Sequence, residues 1–208
     1  MATICPTITA FDTHQYRAQM ERLEPFAQRL HIDLMDGDFA PTVSQSLEQT
    51  WLPENILADI HLMYRRPAEQ LEQLINLKPN LVIIHAEAAV DHQGFADDLQ
   101  QSGIKAGLAI LSATPIESWL PAIKHFDHVL IFSGDLGKHG GVADLTLLDK
   151  VQSVRSTYPD KEIGWDGGIN DRTIEQLVEA GVTILNVGGF IHSAENAGAA
   201  YSRLQQLV

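Results

Sequence analysis

A single cysteine, Cys5, stands in 208 residues, so no intrachain disulfide can form and a reducing compartment, by default the cytoplasm, is the expected setting. Positive charge is also scarce. Fourteen Lys and Arg against 27 Asp and Glu leave a formal net charge of −13, which repels phosphate backbones and anionic membrane surfaces and argues against nucleic-acid and membrane partners. No apolar run approaches the ~20 residues a membrane-spanning helix needs. The stretch from Met1 to Phe11 lacks the basic start and long apolar segment of a secretory signal, so none is expected. A dinucleotide-binding turn is missing as well: the first apolar run reads Cys5-Pro6-Thr7-Ile8-Thr9, with no glycine where G-x-G-x-x-G would stand. No linker rich in Gly, Ser or Pro and no low-complexity stretch divides the chain, and 1–208 reads as one domain.

What is present is an alternation. Short apolar, β-branched runs predict strands at Thr3 to Thr9, Leu30 to Met35, Leu57 to Met63, Leu81 to Ala86, Lys105 to Ile110, His128 to Phe132, Glu162 to Asp166 and Ile184 to Val187. Helical spacing falls between them, at Thr13 to Gln28, Pro67 to Leu77, Gly94 to Ser102, Ile116 to Lys124, Leu145 to Tyr158, Arg172 to Ala180 and Glu195 to Leu207. The second crossover, Pro41 to Asn55, contains two prolines and a short Leu47 to Leu52 apolar element, enough for a brief helix at most. Eight βα units of about 26 residues each predict an α/β fold, a compact (β/α)₈ barrel, with a doubly wound open sheet as the rival.

Catalytic groups of such a barrel come from the C-terminal ends of its strands. The second strand closes on His31-Ile32-Asp33-Leu34-Met35-Asp36-Gly37, where His31 and Asp33, two apart, share one side. The third closes on Asp59-Ile60-His61-Leu62-Met63, and the seventh on Trp165-Asp166-Gly167-Gly168. Taken singly, each residue has an ordinary explanation: a hydrogen-bonded core histidine, or an Asp that forms a turn before Gly. Taken together, His31, Asp33, His61 and Asp166 at three strand ends make a mixed N/O site suited to one divalent ion, zinc, iron(II), manganese or cobalt. Left unlinked by a ligand, each would be a buried polar group in need of a partner.

The stretches Ile4-Cys5-Pro6-Thr7-Ile8, His31 to Gly37 with Phe39-Ala40-Pro41, Asp59 to Met63, His85-Ala86-Glu87 and Asp166-Gly167-Gly168-Ile169 together resemble the ribulose-phosphate 3-epimerase family, in order and over nearly the whole chain. The resemblance implies a phosphate-binding (β/α)₈ barrel of the ribulose-phosphate-binding type that interconverts D-ribulose 5-phosphate and D-xylulose 5-phosphate, working as a homo-oligomer on a small sugar phosphate. It implies a divalent metal on His31, Asp33, His61 and Asp166, with Asp33 and Asp166 as the acid/base pair on opposite faces of C3. It places Thr7 and His85 at the substrate, Met35 and Met63 as a soft lining, and a phosphate cradle at Gly140-Gly141, Gly167-Gly168 and Gly188-Gly189. Backbone amides suit that role in an acidic chain with few basic residues to spare. Ordinary core packing would equally account for the two methionines, and turns for single Gly pairs. His85 and Glu87, two apart, are expected to aim into the barrel mouth and orient ligands.

The chemistry agrees with the implied site. A proton alpha to a ketone is too weakly acidic for a carboxylate unless the enediolate is stabilised, which a metal near O2 and O3 does electrostatically.

Departures from the family pattern concentrate after the sixth strand. There the chain reads Phe132-Ser133-Gly134-Asp135-Leu136-Gly137-Lys138-His139-Gly140-Gly141-Val142 where the family usually has Met-Ser-Val-Asn-Pro-Gly-Phe-Gly-Gly-Gln. Thr7 stands for a usual serine, Gly189 for another, and the bulky Phe190 for a small residue. Asp135 brings negative charge toward the phosphate, Lys138 offsets it or is solvated, and His139 is a substrate-facing or surface residue of the same loop. Two alternatives follow: an epimerase of a six-carbon ketose phosphate such as allulose 6-phosphate, or a non-catalytic barrel that keeps the metal. Decarboxylase or aldol chemistry would call for an Asp-x-Lys-x-x-Asp array, and no lysine lies in His31 to Gly37. Trp51, Trp119 and Trp165 are candidates for core or interface.

Overall fold

A computed structural model describes residues 2–138 and 140–208; His139 lies outside the described residues. Eight parallel strands, β1 (Thr3–Thr9), β2 (Arg29–Met35), β3 (Leu57–Met63), β4 (Leu81–His85), β5 (Lys105–Ile110), β6 (His128–Phe132), β7 (Glu162–Asp166) and β8 (Ile184–Val187), close into a barrel in sequence order. The closing ladder is β1 on β8, with Thr3 opposite Ile184 and Pro6 opposite Val187, which rules out the open sheet. Apart from the exposed leading residues Leu57 and Lys105, the strands are covered on both faces; their outward positions are apolar, and in β2 and β3 these alternate with inward polar groups such as His31, Asp33 and His61.

Helices α1 (Thr13–Leu23), α2 (Leu71–Leu77), α3 (His92–Gln101), α4 (Leu120–Ile123), α5 (Leu148–Thr157), α6 (Ile174–Glu179), α7 (Gly189–His192) and α8 (Ala197–Gln205) complete the layer. Asp12, Asp91 and Asn196 start α1, α3 and α8 by accepting a backbone N–H three residues on. Helix α1 stops at Leu23, not Gln28, because Pro25 has no N–H to continue the ladder. Segments 67–70, 116–118 and 145–147 are 3₁₀ turns leading into α2, α4 and α5, and the second crossover holds only the 3₁₀ turn Leu47–Gln49.

The main core lies between barrel and helices, where Ile8, Ile32, Ile60, Val129, Trp165 and Leu185 point outward. Inside the barrel the apolar layer is small, Leu81, Ile83, Ala109 and Leu130, and polar groups lie at both ends. At the N-terminal end Arg29 bonds Asp59 at 2.5 Å and Glu162 at 2.9 Å, while His128 meets Glu162 at 2.9 Å. Gly164 makes room there, since a Cβ would sit 2.5 Å from His128 Nε2. The N-terminal face of such barrels is the stability face; the other end carries the chemistry.

Candidate active site

At the C-terminal end, strand register brings four groups together. Asp33 lies opposite Thr9 on β1 and His61 on β3, and Asp166 ends β7 opposite Phe132 and Asn186. His31, Asp33 and His61 are buried, and Asp166 is half-buried. One ligand atom from each of these four lies within 4.8 Å of all the others. His31 Nε2 is 3.2 Å from Asp33 Oδ1, 3.4 Å from Asp166 Oδ2 and 3.2 Å from His61 Nδ1; His61 Nδ1 is 3.0 Å from Asp33 Oδ1 and 4.0 Å from Asp166 Oδ2. A tetrahedron of donors around an ion with bonds of about 2.0–2.1 Å has edges of roughly 3.3 Å. The measured separations bracket that value, so the set fits a small divalent cation.

Proton bookkeeping supports the fit. Burial pushes the His85 imidazole down to about 4, despite its neighbour Glu87, so His85 is neutral at pH 7. Its Nε2 lies 2.8 Å from His61 Nε2 and its Nδ1 3.5 Å from Glu87 Oε2. With the His85 proton toward Glu87, His61 Nε2–H donates to His85, which leaves the His61 Nδ1 lone pair facing Asp33. That pairing is repulsive unless positive charge lies between. Without a metal, a proton on His31 supplies the charge: burial disfavours it, but hydrogen bonds to Asp166 and Asp33 raise His31 to about 10. Against the cost of burial, the hydrogen bond from His31 holds Asp33 well below the usual carboxylate range.

Above the cluster is a cavity of about 190 Å³ lined by Thr7, Met35, Met63 and the pairs Gly140-Gly141, Gly167-Gly168 and Gly188-Gly189. The glycine loops touch: a Cβ on Gly168 (φ +71°) would sit 1.9 Å from Ala143 N, and one on Gly167 (φ +115°) 2.3 Å from Gly134 N. Met35 and Met63 pack with Ala40, apart from the main core. Lys138 pairs with Asp135 at 3.1 Å, both largely exposed at the cavity rim, so the lysine's charge is already offset. His85 does not line the cavity; it stands behind His61. Glu87 does not aim into the mouth either. Strand β4 ends at His85, and the Glu87 carboxylate turns sideways to accept from Thr114 Oγ1 and Leu111 N.

Three residues escaped the sequence reading. Thr9 Oγ1 donates to Asp33 Oδ2 at 2.7 Å, signalled only by its place on the same side of β1 as Thr7. Asp36 accepts from Phe39 N at 2.7 Å and Arg65 N at 2.6 Å, tying the loops after β2 and β3 together. Asn186 lines the cavity from β8 and is 2% exposed; its signal was an amide inside the apolar run Ile184 to Val187. Of the tryptophans, Trp165 is fully buried and donates to Gly167 O at 2.9 Å, whereas Trp51 is partly exposed beside Tyr16.

A closed parallel barrel with a mixed imidazole–carboxylate cluster at its C-terminal mouth belongs among the α/β-barrel enzymes. Residues 3–192 match the profile of the ribulose-phosphate 3 epimerase family, and the chain belongs to that family, whose curated members are isomerases. Ribulose-phosphate 3-epimerase of Mycobacterium bovis is 33% identical over 210 residues, covering 98% of this chain and 91% of that protein. That of Schizosaccharomyces pombe is 27% identical over 214 residues, covering 100% and 94%. Among solved structures, a 3-hexulose-6-phosphate synthase superposes with a TM-score of 0.79 at 13% identity, covering 99% of each chain. A 3-keto-L-gulonate-6-phosphate decarboxylase from Vibrio cholerae does so with 0.75 at 9%, covering 99% of this chain and 96% of that one. These two likenesses show the fold. No helix among the described residues is long and apolar enough to cross a membrane.

Proposed function

We propose that this chain inverts C3 of a ketose phosphate, D-ribulose 5-phosphate to D-xylulose 5-phosphate, by proton transfer between two carboxylates. The observation that carries the reading is the convergence of His31, Asp33, His61 and Asp166 at the barrel mouth. His31, Asp33, His61 and Asp166 would hold a divalent ion, zinc, iron(II), manganese or cobalt, whose positive charge would stabilise negative charge developing on the ketose oxygens. Asp33 comes from β2 and Asp166 from β7, with β1 and β8 between them, so the two carboxyls approach a bound sugar from different sides. One takes the C3 proton, leaving the C–H electron pair in the enediolate; the other returns a proton to the opposite face. Their roles exchange with the direction of turnover. Thr9 fixes the Asp33 rotamer, and the 2.8 Å contact of His85 Nε2 with His61 Nε2 holds the His61 ring. Met35 and Met63 give an apolar floor, and the amides of the three glycine loops suit a phosphate.

Phe132, whose ring centroid lies 5.8 Å from that of His61, and Phe190 both narrow the cavity and favour the five-carbon over the six-carbon substrate. The two-carboxylate arrangement speaks against a barrel that only binds metal. A cytoplasmic homo-oligomer completes the proposal, with the lone cysteine buried and free. The test is a coupled assay of D-ribulose 5-phosphate on metal-analysed protein beside Asp33→Asn and Asp166→Asn. Each substitution is expected to lower kcat about 10²–10⁴-fold; wild-type protein with its full metal complement and no turnover would overturn the pentose assignment.

A further inference from the structure

We infer that Asn186 binds a hydroxyl group of the ketose chain and is a specificity-determining residue of this barrel, an inference that rests on the proposed ketose-phosphate reading. Asn186 is fixed in the middle of β8, opposite Asp166 on β7 and Cys5 on β1. It lines the cavity yet is 2% exposed, and neither Oδ1 nor Nδ2 has a hydrogen-bond partner among the described residues. One strand over, Thr7 Oγ1 lines the same cavity, equally buried and equally unpartnered. Gln45, the other buried amide among the described residues, is also without a partner but lies away from the cavity, whereas Asn186 and Thr7 are both on its wall; a buried polar group left bare costs stability. A polar group kept at that cost, aimed into a cavity, marks a place where a ligand completes the bonding.

The chemistry of the amide narrows the ligand. It offers one acceptor and two donor hydrogens on a neutral group, which matches a hydroxyl, itself both donor and acceptor. A phosphate needs donors only, and the amides of Gly188 and Gly189, two and three residues on, stand nearer the mouth for it. A metal is already provided for by the four ligands on β2, β3 and β7. Register places Asn186 opposite Asp166 and two residues before Gly188, all three on the cavity wall, where the carbon chain of a bound ketose phosphate would pass.

The test is Asn186→Val, with a residue of similar size and better strand propensity, alongside Asn186→Ser, which keeps a hydrogen-bonding group. For D-ribulose 5-phosphate, Asn186→Val is expected to raise KM about 10-fold with kcat within a few-fold of wild type, as for an interaction made equally in the ground and transition states. Asn186→Ser should recover part of the loss. Because neither atom of the amide has a partner among the described residues, Asn186→Val should also raise Tm, by about 2–4 °C. A structural asparagine would do the reverse, so a lowered Tm overturns the inference, as does an unchanged KM. Solvent deuterium exchange into the sugar by the wild type is measured in parallel. If the wild type exchanges and Asn186→Val matches it in KM, only the Asn186 role falls; if the wild type does not exchange, the ketose-phosphate reading falls and takes this one with it.

Discussion

Two glycines separate steric contact from backbone conformation. Gly168 (φ +71°) and Gly140 (φ +82°) both hold the left-handed region and both line the cavity. A Cβ on Gly140 would meet nothing within 4 Å, whereas one on Gly168 would lie 1.9 Å from Ala143 N and 2.4 Å from Val142 C. Alanine at 140 therefore costs only the left-handed conformation, on the order of 1–2 kcal/mol. Alanine at 168 costs that and also forces the 142–143 backbone to retreat by roughly 1.5 Å before ordinary contact distances return. That segment is part of the loop after β6, so the displacement opens the glycine cradle proposed for phosphate. Misplacement by an ångström at a positioning group typically costs about 10²-fold in rate. We expect Gly168→Ala to lower kcat/KM for D-ribulose 5-phosphate about 100-fold, mainly through KM, and Gly140→Ala to lower it less than 10-fold. Steady-state kinetics with the phosphorylated sugar and with unphosphorylated ribulose is the assay, because a damaged cradle penalises only the former. Equal losses in the two variants, or equal losses on the two sugars, would refute the reasoning.

Other tests follow from the electrostatics. In the metal-free protein His31 is raised to about 10 from an unfolded value of about 6.5. Its contribution to stability is complete below about pH 6.5 and is lost as pH rises toward 10. A bound metal needs His31 neutral and competes better as protons become scarce. The Tm difference between metal-loaded and metal-free protein should therefore widen from pH 6.5 to 10, and a constant gap would count against these ligands. At the other end of the barrel, burial would raise Glu162, but His128 and Arg29 hold it well below the usual range. Its stabilisation is present above about pH 4.3 and fades as pH falls through and below that value. Glu162→Gln should flatten the acid limb of a Tm-against-pH curve, modestly because the carboxylate is partly exposed; an unchanged limb would mean the pair contributes nothing.

Much of this protein was legible in one dimension. The eight strands follow from β-branched apolar runs, and six have the bounds the pattern predicts; β2 begins one residue earlier at Arg29 and β4 ends one earlier at His85. The reason is local: strands covered by helices keep apolar residues at their outward positions, and parallel strands have to alternate with crossovers. Helix ends were less readable, since the 3₁₀ entries at 67–70, 116–118 and 145–147 share the helical pattern of the segments they open. The four-residue α7 was not foreseen, because so short a segment has too few turns to show a period.

The ingredients of the site were also in the sequence: a two-residue spacing set His31 and Asp33 on one side of a strand, and the absence of cysteine and lysine beside them limited the chemistry. Tertiary structure decided the rest. Whether β1 meets β8 depends on tilt and shear summed over eight strands, which no local pattern records. Closure then determines that Asp166 reaches His31, 135 positions away in the chain, at 3.4 Å, that Thr9 meets Asp33, and that Glu87 turns toward Thr114 instead of the mouth. The same closure gives Gly168 a backbone neighbour and leaves the Asn186 amide without a partner among the described residues. Residue type sets which bonds a group can make; only the fold sets which groups are near enough to make them.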